Sequence, residues 1–346
     1  MNRWVRLVGE NRWTALMLLS VLLLYSFLIL AGLSSKGAHT AQIEKKAAIT
    51  TQELKQKEET VKEKLIERPE LAGALTLGFL ALLVGGVLID LSLARRWTQG
   101  RPWVAERLPA IEACWGQKQV VQALVFLFFA EGCIFLLHVL FVRLSGSDIP
   151  EDLFLMLSSL LRDLAAAVFV LLLIHRRGGR SFRDLGLRRE KLWRQLRLGV
   201  VAYVAVVPVL VASFIVLAAV ASIFSYEPQP QNVVEMYLKP GSQPYLVVFT
   251  LFVAALGPVL EEIFFRGFAY PALRRDLGPV KAAMLTAAVF AAFHMSLFAF
   301  LPVFLLGLFL CYLYEATGSL VPSITAHVLH NTIMVGLTLG FRFLAG

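Results

Sequence analysis

Apolar residues in this chain do not alternate with polar ones; they come in unbroken runs, each about long enough to cross a roughly 30 Å hydrocarbon layer as an α-helix. The runs fall at 13–33, 71–94, 119–142, 153–174, 200–224, 246–273, 280–297, 299–316 and 321–340. A closed β-barrel, the other architecture that satisfies its own backbone in lipid, needs alternation along every strand, and none is present. The predicted fold is therefore all-α, a polytopic transmembrane helical bundle of about nine spans. The first run follows Arg3, Arg6 and Arg12. It is longer than the roughly 7–15-residue core of a signal peptide and no A-x-A cleavage site follows, so it is read as a retained helix.

One stretch breaks the pattern. Residues 36–70 mix Lys with Glu (Glu58, Glu59, Lys62, Glu63) around Ile43, Ile49, Leu54, Val61 and Leu65. The apolar spacing is near helical and several opposite charges stand at i,i+4. A charged helical hairpin outside the membrane is predicted, with a solvated spacer as the alternative.

Composition agrees with the membrane reading. Hydrophobic residues make up 58% of the chain and charged residues 16%, with mean hydropathy +0.71; soluble domains carry roughly 25% charged residues. The net charge of +9 would raise nucleic-acid binding in a soluble protein. In a membrane protein the same excess marks cytoplasmic loops, and no nucleic-acid partner is expected. Arg176, Arg177, Arg180, Arg183, Arg188, Arg189, Lys191, Arg194 and Arg197 face only Asp184 and Glu190 within one short loop, which is expected inside. Counting spans places the N-terminus, the loop with Arg95, Arg96, Arg101 and Arg107, and the turn from Arg274 and Arg275 to Lys281 on that side. The acidic segments 147–152 and 227–235 fall on the other. Cys114, Cys133 and Cys311 are far apart and form no CxxC pair, so neither a disulfide framework nor a thiolate metal site is expected.

Ionisable groups at bilayer depth cost about 2.5–3.5 kcal/mol each on insertion scales, so each one needs a reason. The predicted spans contain Asp90, Glu131, His138, Arg162, Asp163, Glu261, Glu262, Arg266, His294, His327 and His330. For the first five, structural pairing is expected: Asp90 near the interface, and Arg162 with Asp163 or Glu131. The remainder are dense and complementary. Arg266 stands four residues after Glu262, the spacing of a helical ion pair. Glu261 then points about 100° away and is free to act as a general base. Phe290 lies one turn before His294, and His327 shares a helix face with Asn331. Such donors can hold a metal-bound water or an oxyanion, and spacing alone leaves both open.

Glu261-Glu262-x-x-x-Arg266, Phe290-x-x-x-His294 and His327-x-x-x-Asn331, in this order on three spans, resemble the CAAX protease and bacteriocin-processing (CPBP) family. Its eukaryotic relatives are the type II CAAX prenyl endopeptidases, and its bacterial members are often called Abi proteins. Pro258, the Phe265-Arg266-Gly267 triplet, Thr317-Gly318-Ser319-Leu320 and Phe182-Arg183-Asp184-Leu185-Gly186-Leu187 add to the likeness. The resemblance covers about 182–340 and implies an intramembrane protease domain at 182–346; residues 1–181, an N-terminal transmembrane region by their apolar runs with the charged segment at about 36–70, have no counterpart in it. The resemblance also implies a metalloprotease-like endopeptidase whose substrate is a membrane-associated protein or peptide, with the lipid bilayer as its other partner. The expected location is the plasma membrane of a prokaryotic cell.

By the resemblance Glu261 and His294 activate water, Glu262 and Arg266 order the site, and His327 and Asn331 bind the oxyanion, with His330 able to assist or replace His327. A divalent metal such as zinc on Glu261, His294 and His327 is possible chemistry for that set, although no HExxH is present. The competing readings are a catalytically silent scaffold or bacteriocin-immunity protein of the same fold, and a proton-carrying transporter. One tension stands in the predicted spans: His327 lies near the cytoplasmic end of its helix and His294 near the opposite end of its own.

Overall fold

The computed structural model describes Leu19 and residues 36–101, 104, 113–147, 149–176, 182–188, 190–228, 231–238 and 245–345. The expected first span at 13–33 falls outside the described residues except for Leu19. Arg3, Arg6, Arg12, Arg107, Arg177, Arg180 and Arg189 also fall outside them.

Among the described residues there are helices and no strands. Helix α1 spans Lys36–Glu67, α2 Pro69–Thr98, α3 Gln117–Ser145 and α4 Glu151–Arg176. A 3-10 turn at Phe182–Leu185 leads to α5 (Leu192–Ile223) and the short α6 (Asn232–Leu238). One long run then passes through α7 (Leu246–Leu251), a π-turn (Phe252–Leu256), α8 (Gly257–Glu262), a second π-turn (Ile263–Ala269) and α9 (Tyr270–Phe293). Helices α10 (Phe300–Thr317) and α11 (Leu320–Ala345) close the bundle.

Seven helical segments among the described residues are long and apolar enough to cross a membrane. Six correspond one for one to predicted spans. The seventh, Leu246–Phe293, holds 48 residues and contains both the 246–273 and the 280–297 spans. A straight helix of that length would measure about 72 Å, far more than a bilayer. Gly278 breaks it, with φ 76° and ψ 166°, a conformation open to a residue without Cβ. The chain is a multi-pass integral membrane helical bundle.

The predicted hairpin at 36–70 is instead one continuous helix, α1. Between Gly37 and Arg68 the sequence has no Gly or Pro to turn the chain. The break comes at Arg68 (φ −124°, ψ 69°), because Pro69 disfavours the α conformation in the residue before it. Lys55 reaches Glu227 at 2.8 Å, which places the charged excursion and the acidic 227–235 segment at one end of the bundle, as the loop charges predicted. Both side chains are well exposed, so the pair is a marker of position and adds little stability.

The core that carries the site draws on both halves of the chain. Trp115, Leu127 and Val170 pack in one cluster with Leu185, Phe265, Phe268 and Phe290. The Trp115 indole stacks on Phe268 at 5.8 Å and donates from Nε1 to the Phe268 carbonyl at 2.8 Å. The segment Phe182–Leu187 serves as a plug. Gly186 offers its carbonyl to the backbone N–H of Leu320 at 2.9 Å and to the Ser319 hydroxyl at 3.2 Å, tying down the start of α11. A Cβ on Gly267 would stand 3.1 Å from both the Leu185 carbonyl oxygen and Leu320 Cδ1, so that motif glycine leaves room for the plug.

Helix α5 meets α11 at Gly199, where a Cβ would come within 2.6 Å of the Pro322 carbonyl oxygen and of Thr325 Cβ. Small residues let helices approach this closely in lipid, where packing replaces the hydrophobic drive. Gly199→Leu is expected to force α5 away from α11, at about 1–3 kcal/mol for an overpacked contact. Thermal unfolding of the purified protein should show a lower midpoint, and an unchanged midpoint would refute the contact.

Candidate active site

The two acidic residues sit on α8, a segment of only 6 residues held between two π-turns. Single π-turns inside α-helices concentrate at functional sites because they re-aim side chains and leave carbonyls unpaired. Both π-turns here have a carbonyl taken by a side-chain donor. Phe268 receives Trp115, and Val253 receives Asn331 Nδ2 at 2.9 Å.

The Val253 contact has a local cause. Gly257 N–H bonds back to Phe252 O, the five-residue step of a π-turn. The next residue is Pro258, which has no N–H to give to Val253. Asn331 on α11 supplies the missing donor and so fastens α11 to the entrance of α8.

Glu262 and Arg266 form the predicted i,i+4 pair, with Arg266 NH1 2.6 Å from Glu262 Oε1 and both side chains wholly buried. Arg266 NH2 also donates to the Gly307 carbonyl of α10 at 3.1 Å, and its guanidinium lies 4.4 Å over the Phe290 ring. A planar fork can make an ion pair, a backbone bond and a ring contact together. Glu262 Oε1 accepts a further bond from His327 Nδ1 at 3.0 Å. That contact fixes the His327 tautomer, since a carboxylate paired with arginine can only accept. The imidazole of His327 is 2% exposed and turns its other nitrogen, Nε2, towards Glu261 Oε2 at 3.6 Å.

The adjacent carboxylates therefore flank one imidazole but differ in access. Glu262 is sealed and its charge is compensated by Arg266. Glu261 is 28% exposed and is the open carboxylate of the pair.

His294 caps the C-terminus of α9. Its Nδ1 is 2.9 Å from the Phe290 carbonyl, and its ring meets the Phe290 ring edge-on at 4.8 Å. His327 approaches the same ring at 5.7 Å. Phe290 is thus the hub around which Arg266, His294 and His327 gather. This geometry removes the tension in depth. The part of α9 beyond Gly278 reaches only to Phe293, about 22 Å of helix, shorter than a full crossing, and brings His294 to the same Phe290 ring as His327. No hydrogen bond or ion pair joins His294 to Glu261 among the described residues; the imidazole that Glu261 meets is His327.

His330 pairs with Tyr203 of α5, with the hydroxyl 3.4 Å from Nδ1, on a neighbouring face of α11. Nothing in the sequence pattern marked Tyr203, nor the Gly307 carbonyl that Arg266 uses. Pro258, five residues after Val253, was the legible signal for the Asn331 contact. The N-terminal charges pair as expected: Arg162 lies 3.1 Å from Asp163 and 3.8 Å from Glu131, while His138 stacks on Phe154 at 4.0 Å.

Glu261 and His327 face each other at 3.6 Å, while no such contact is seen between His294 and either of them among the described residues. Among the described residues no three His, Cys, Asp or Glu side chains are placed to hold an ion. His327 points both ring nitrogens at carboxylates, and His294 Nδ1 is engaged by its own helix. No step is derived through a metal.

Asn331→Ala removes a donor at the site and also leaves the Val253 carbonyl without a partner. Loss of a preplaced oxyanion donor costs about 10²–10³ in rate, and the orphaned carbonyl about 1–3 kcal/mol of stability. The expected result is a slow, somewhat less stable protein, measured by cleavage rate and unfolding midpoint side by side. Wild-type values of both would contradict the contact.

Residues 243–333 match the model of the family described as type II CAAX prenyl endopeptidase Rce1-like. The matched segment is well under half of the chain, yet it contains Glu261, Glu262, Arg266, His294, His327 and Asn331. Neither the comparison with curated proteins nor that with solved structures returned a match. The segment that holds all six of these residues is similar to the type II CAAX prenyl endopeptidase Rce1-like family.

Proposed function

We propose that the protein is an intramembrane endopeptidase that hydrolyses a peptide bond in a membrane-associated protein or peptide, with Glu261 as the base that activates water. The supporting observation is the division of labour around His327: of two adjacent carboxylates, one is spent on Arg266 in a sealed position and the other is open.

Peptide hydrolysis needs a base near the attacking water and donors aimed at the oxyanion. Glu261 Oε2 and His327 Nε2 are 3.6 Å apart, a gap that one water can bridge with ordinary bonds of about 2.8 Å to each. In this reading Glu261 takes the water's proton as the oxygen attacks the carbonyl carbon. The negative charge on the tetrahedral intermediate is met by the Asn331 N–H that Val253 leaves unused, and by His327 in its doubly protonated form, since the Nδ1–H is committed to Glu262 and only a proton on Nε2 can face the oxyanion. Collapse of the intermediate returns the proton from Glu261 to the departing amine. His294, partly exposed at the end of α9, assists Glu261 on the water side. Glu262 and Arg266 hold the His327 ring and do not touch the substrate.

The family description names a prenyl endopeptidase, so the proposed substrate class is a peptide carrying a lipid near its scissile bond. The test is cleavage by the purified full chain, in vesicles, of a fluorogenic C-terminal CAAX peptide with and without an isoprenoid on its cysteine. Faster cleavage of the lipidated peptide is expected. A folded protein that cleaves neither would return the polar cluster to interhelical bonding.

A further inference from the structure

Away from the carboxylates, helices α2 and α5 enclose a second feature. The two run antiparallel and touch at Gly86, where a Cβ would stand 2.5 Å from the Val204 carbonyl oxygen and 2.7 Å from the Pro208 ring. Towards the end of α2 and the start of α5 the two helices line a cavity together with Thr317 and Pro322. The cavity has a volume of about 690 Å³, reaching from Leu88 to Arg96, roughly 12 Å along the helix.

The cavity has two chemically different parts. Its walls are apolar, with Leu88, Leu93, Leu198 and Val201. Among the described residues its mouth carries Arg96, Lys191, Arg194 and Arg197 with the carboxylate Glu190, and Glu190 faces Arg183 at 3.7 Å. The first turn of α5 opens here without a side-chain cap, adding the positive end of a helix dipole. Trp97 and Trp193 flank the mouth with 82% and 79% of their surface exposed. Exposed tryptophans at helix ends mark the headgroup level of a bilayer, so the cations sit at headgroup depth and the apolar walls descend towards the acyl chains.

Gln195 narrows the chemistry. It lines the cavity and is 8% exposed. Its Nε2 donates to the carbonyls of Arg188 and Glu190, while its Oε1 is buried with no hydrogen-bond partner among the described residues. A buried acceptor beside a cluster of cations matches a ligand that carries both an anion and a hydroxyl donor.

We infer that this cavity is a binding site for an anionic glycerophospholipid with a hydroxylated head, of the phosphatidylglycerol class. The phosphodiester meets Arg96 and Arg197 with the first turn of α5, a head hydroxyl donates to Gln195 Oε1, and an acyl chain lies along Leu93, Leu198 and Val201. Basic pockets between spanning helices recognise acidic heads in this way. The site uses none of the residues assigned to peptide hydrolysis and stands whether or not that reading does.

The test uses the purified full chain, delipidated in detergent, with native mass spectrometry and thermal unfolding as readouts. Dioleoylphosphatidylglycerol should remain bound and raise the unfolding midpoint, whereas dioleoylphosphatidylcholine and glycerol 3-phosphate should do neither. Combined Arg96→Gln and Arg197→Gln should weaken phosphatidylglycerol binding by roughly tenfold or more, at about one headgroup charge contact per residue. Gln195→Leu should erase its advantage over dioleoylphosphatidic acid, which lacks the head hydroxyls. Equal retention of phosphatidylcholine, or undiminished binding in the double variant, would overturn the proposal. A midpoint shift of equal size with glycerol 3-phosphate would make this a soluble-anion site and overturn it too. If the double variant fails to fold, the lipid panel on the wild-type protein decides.

Discussion

Glu261→Gln should reduce cleavage by about 10²–10⁴-fold, the usual contribution of a positioned general base, and leave the fold nearly untouched. The glutamine keeps the size and planarity of the side chain but cannot accept the proton of the attacking water. Structurally the change is mild, because Glu261 is partly exposed and its contact with His327, at 3.6 Å, is longer than a hydrogen bond. The stability change should stay within about 0.5 kcal/mol, as for substitutions that break no buried network. Glu262→Gln sets the contrast. That residue is fully buried and accepts from both Arg266 and His327, so neutralising it should cost stability as well as rate. The measurement is kcat for a membrane-bound peptide substrate beside the unfolding midpoint for each variant. A Glu261→Gln protein that cleaves at the wild-type rate would remove Glu261 as the base.

Arg266→Ala should be the most damaging single change. Truncation strips Glu262 of its ion pair in a site with no solvent access, and an unpaired buried charge costs about 3–5 kcal/mol. It also removes the donor to Gly307 and the guanidinium over Phe290, which link α10 and α9 to the second π-turn. Against a total stability of about 5–15 kcal/mol, the expected outcome is poor recovery of monodisperse protein and little activity in what remains. Arg266→Lys tests the geometry separately. A lysine can reach Glu262 but cannot hold the Gly307 carbonyl in the same fork, so partial recovery of stability with reduced activity is expected. An Arg266→Ala protein as stable as wild type would show that Glu262 is not charged in the fold.

Several parts of the site were legible because they depend on spacing within one helix. Four residues separate Glu262 from Arg266, and one turn of helix brings them together without help from the rest of the chain. The same rule placed His327 and Asn331 on one face of α11, which holds, but it could not assign their partners. His327 serves Glu262 and Glu261 on α8, and Asn331 serves the carbonyl of Val253 in the π-turn before it. Both partners lie more than 60 residues away in sequence. Nor could the same rule say which imidazole meets Glu261 directly: His327 comes to 3.6 Å, while His294 and His327 both pack against the Phe290 ring.

By itself the sequence determined the membrane class, the run lengths that become spans, the Glu262–Arg266 pair and the segment that matches a protease family. These follow from local periodicity and from the high cost of polar groups in lipid, which a linear chain displays directly. Tertiary structure alone decided that α1 continues unbroken to Arg68, that the turn expected between the 246–273 and 280–297 runs is made at Gly278 within one continuous 48-residue segment, and that the second run ends early, at His294. It also decided which of two adjacent glutamates is sealed and which is open. Access to water is set by neighbours from other helices, here Arg266 held by Gly307 of α10 and His327 brought by α11, and no spacing along α8 encodes them.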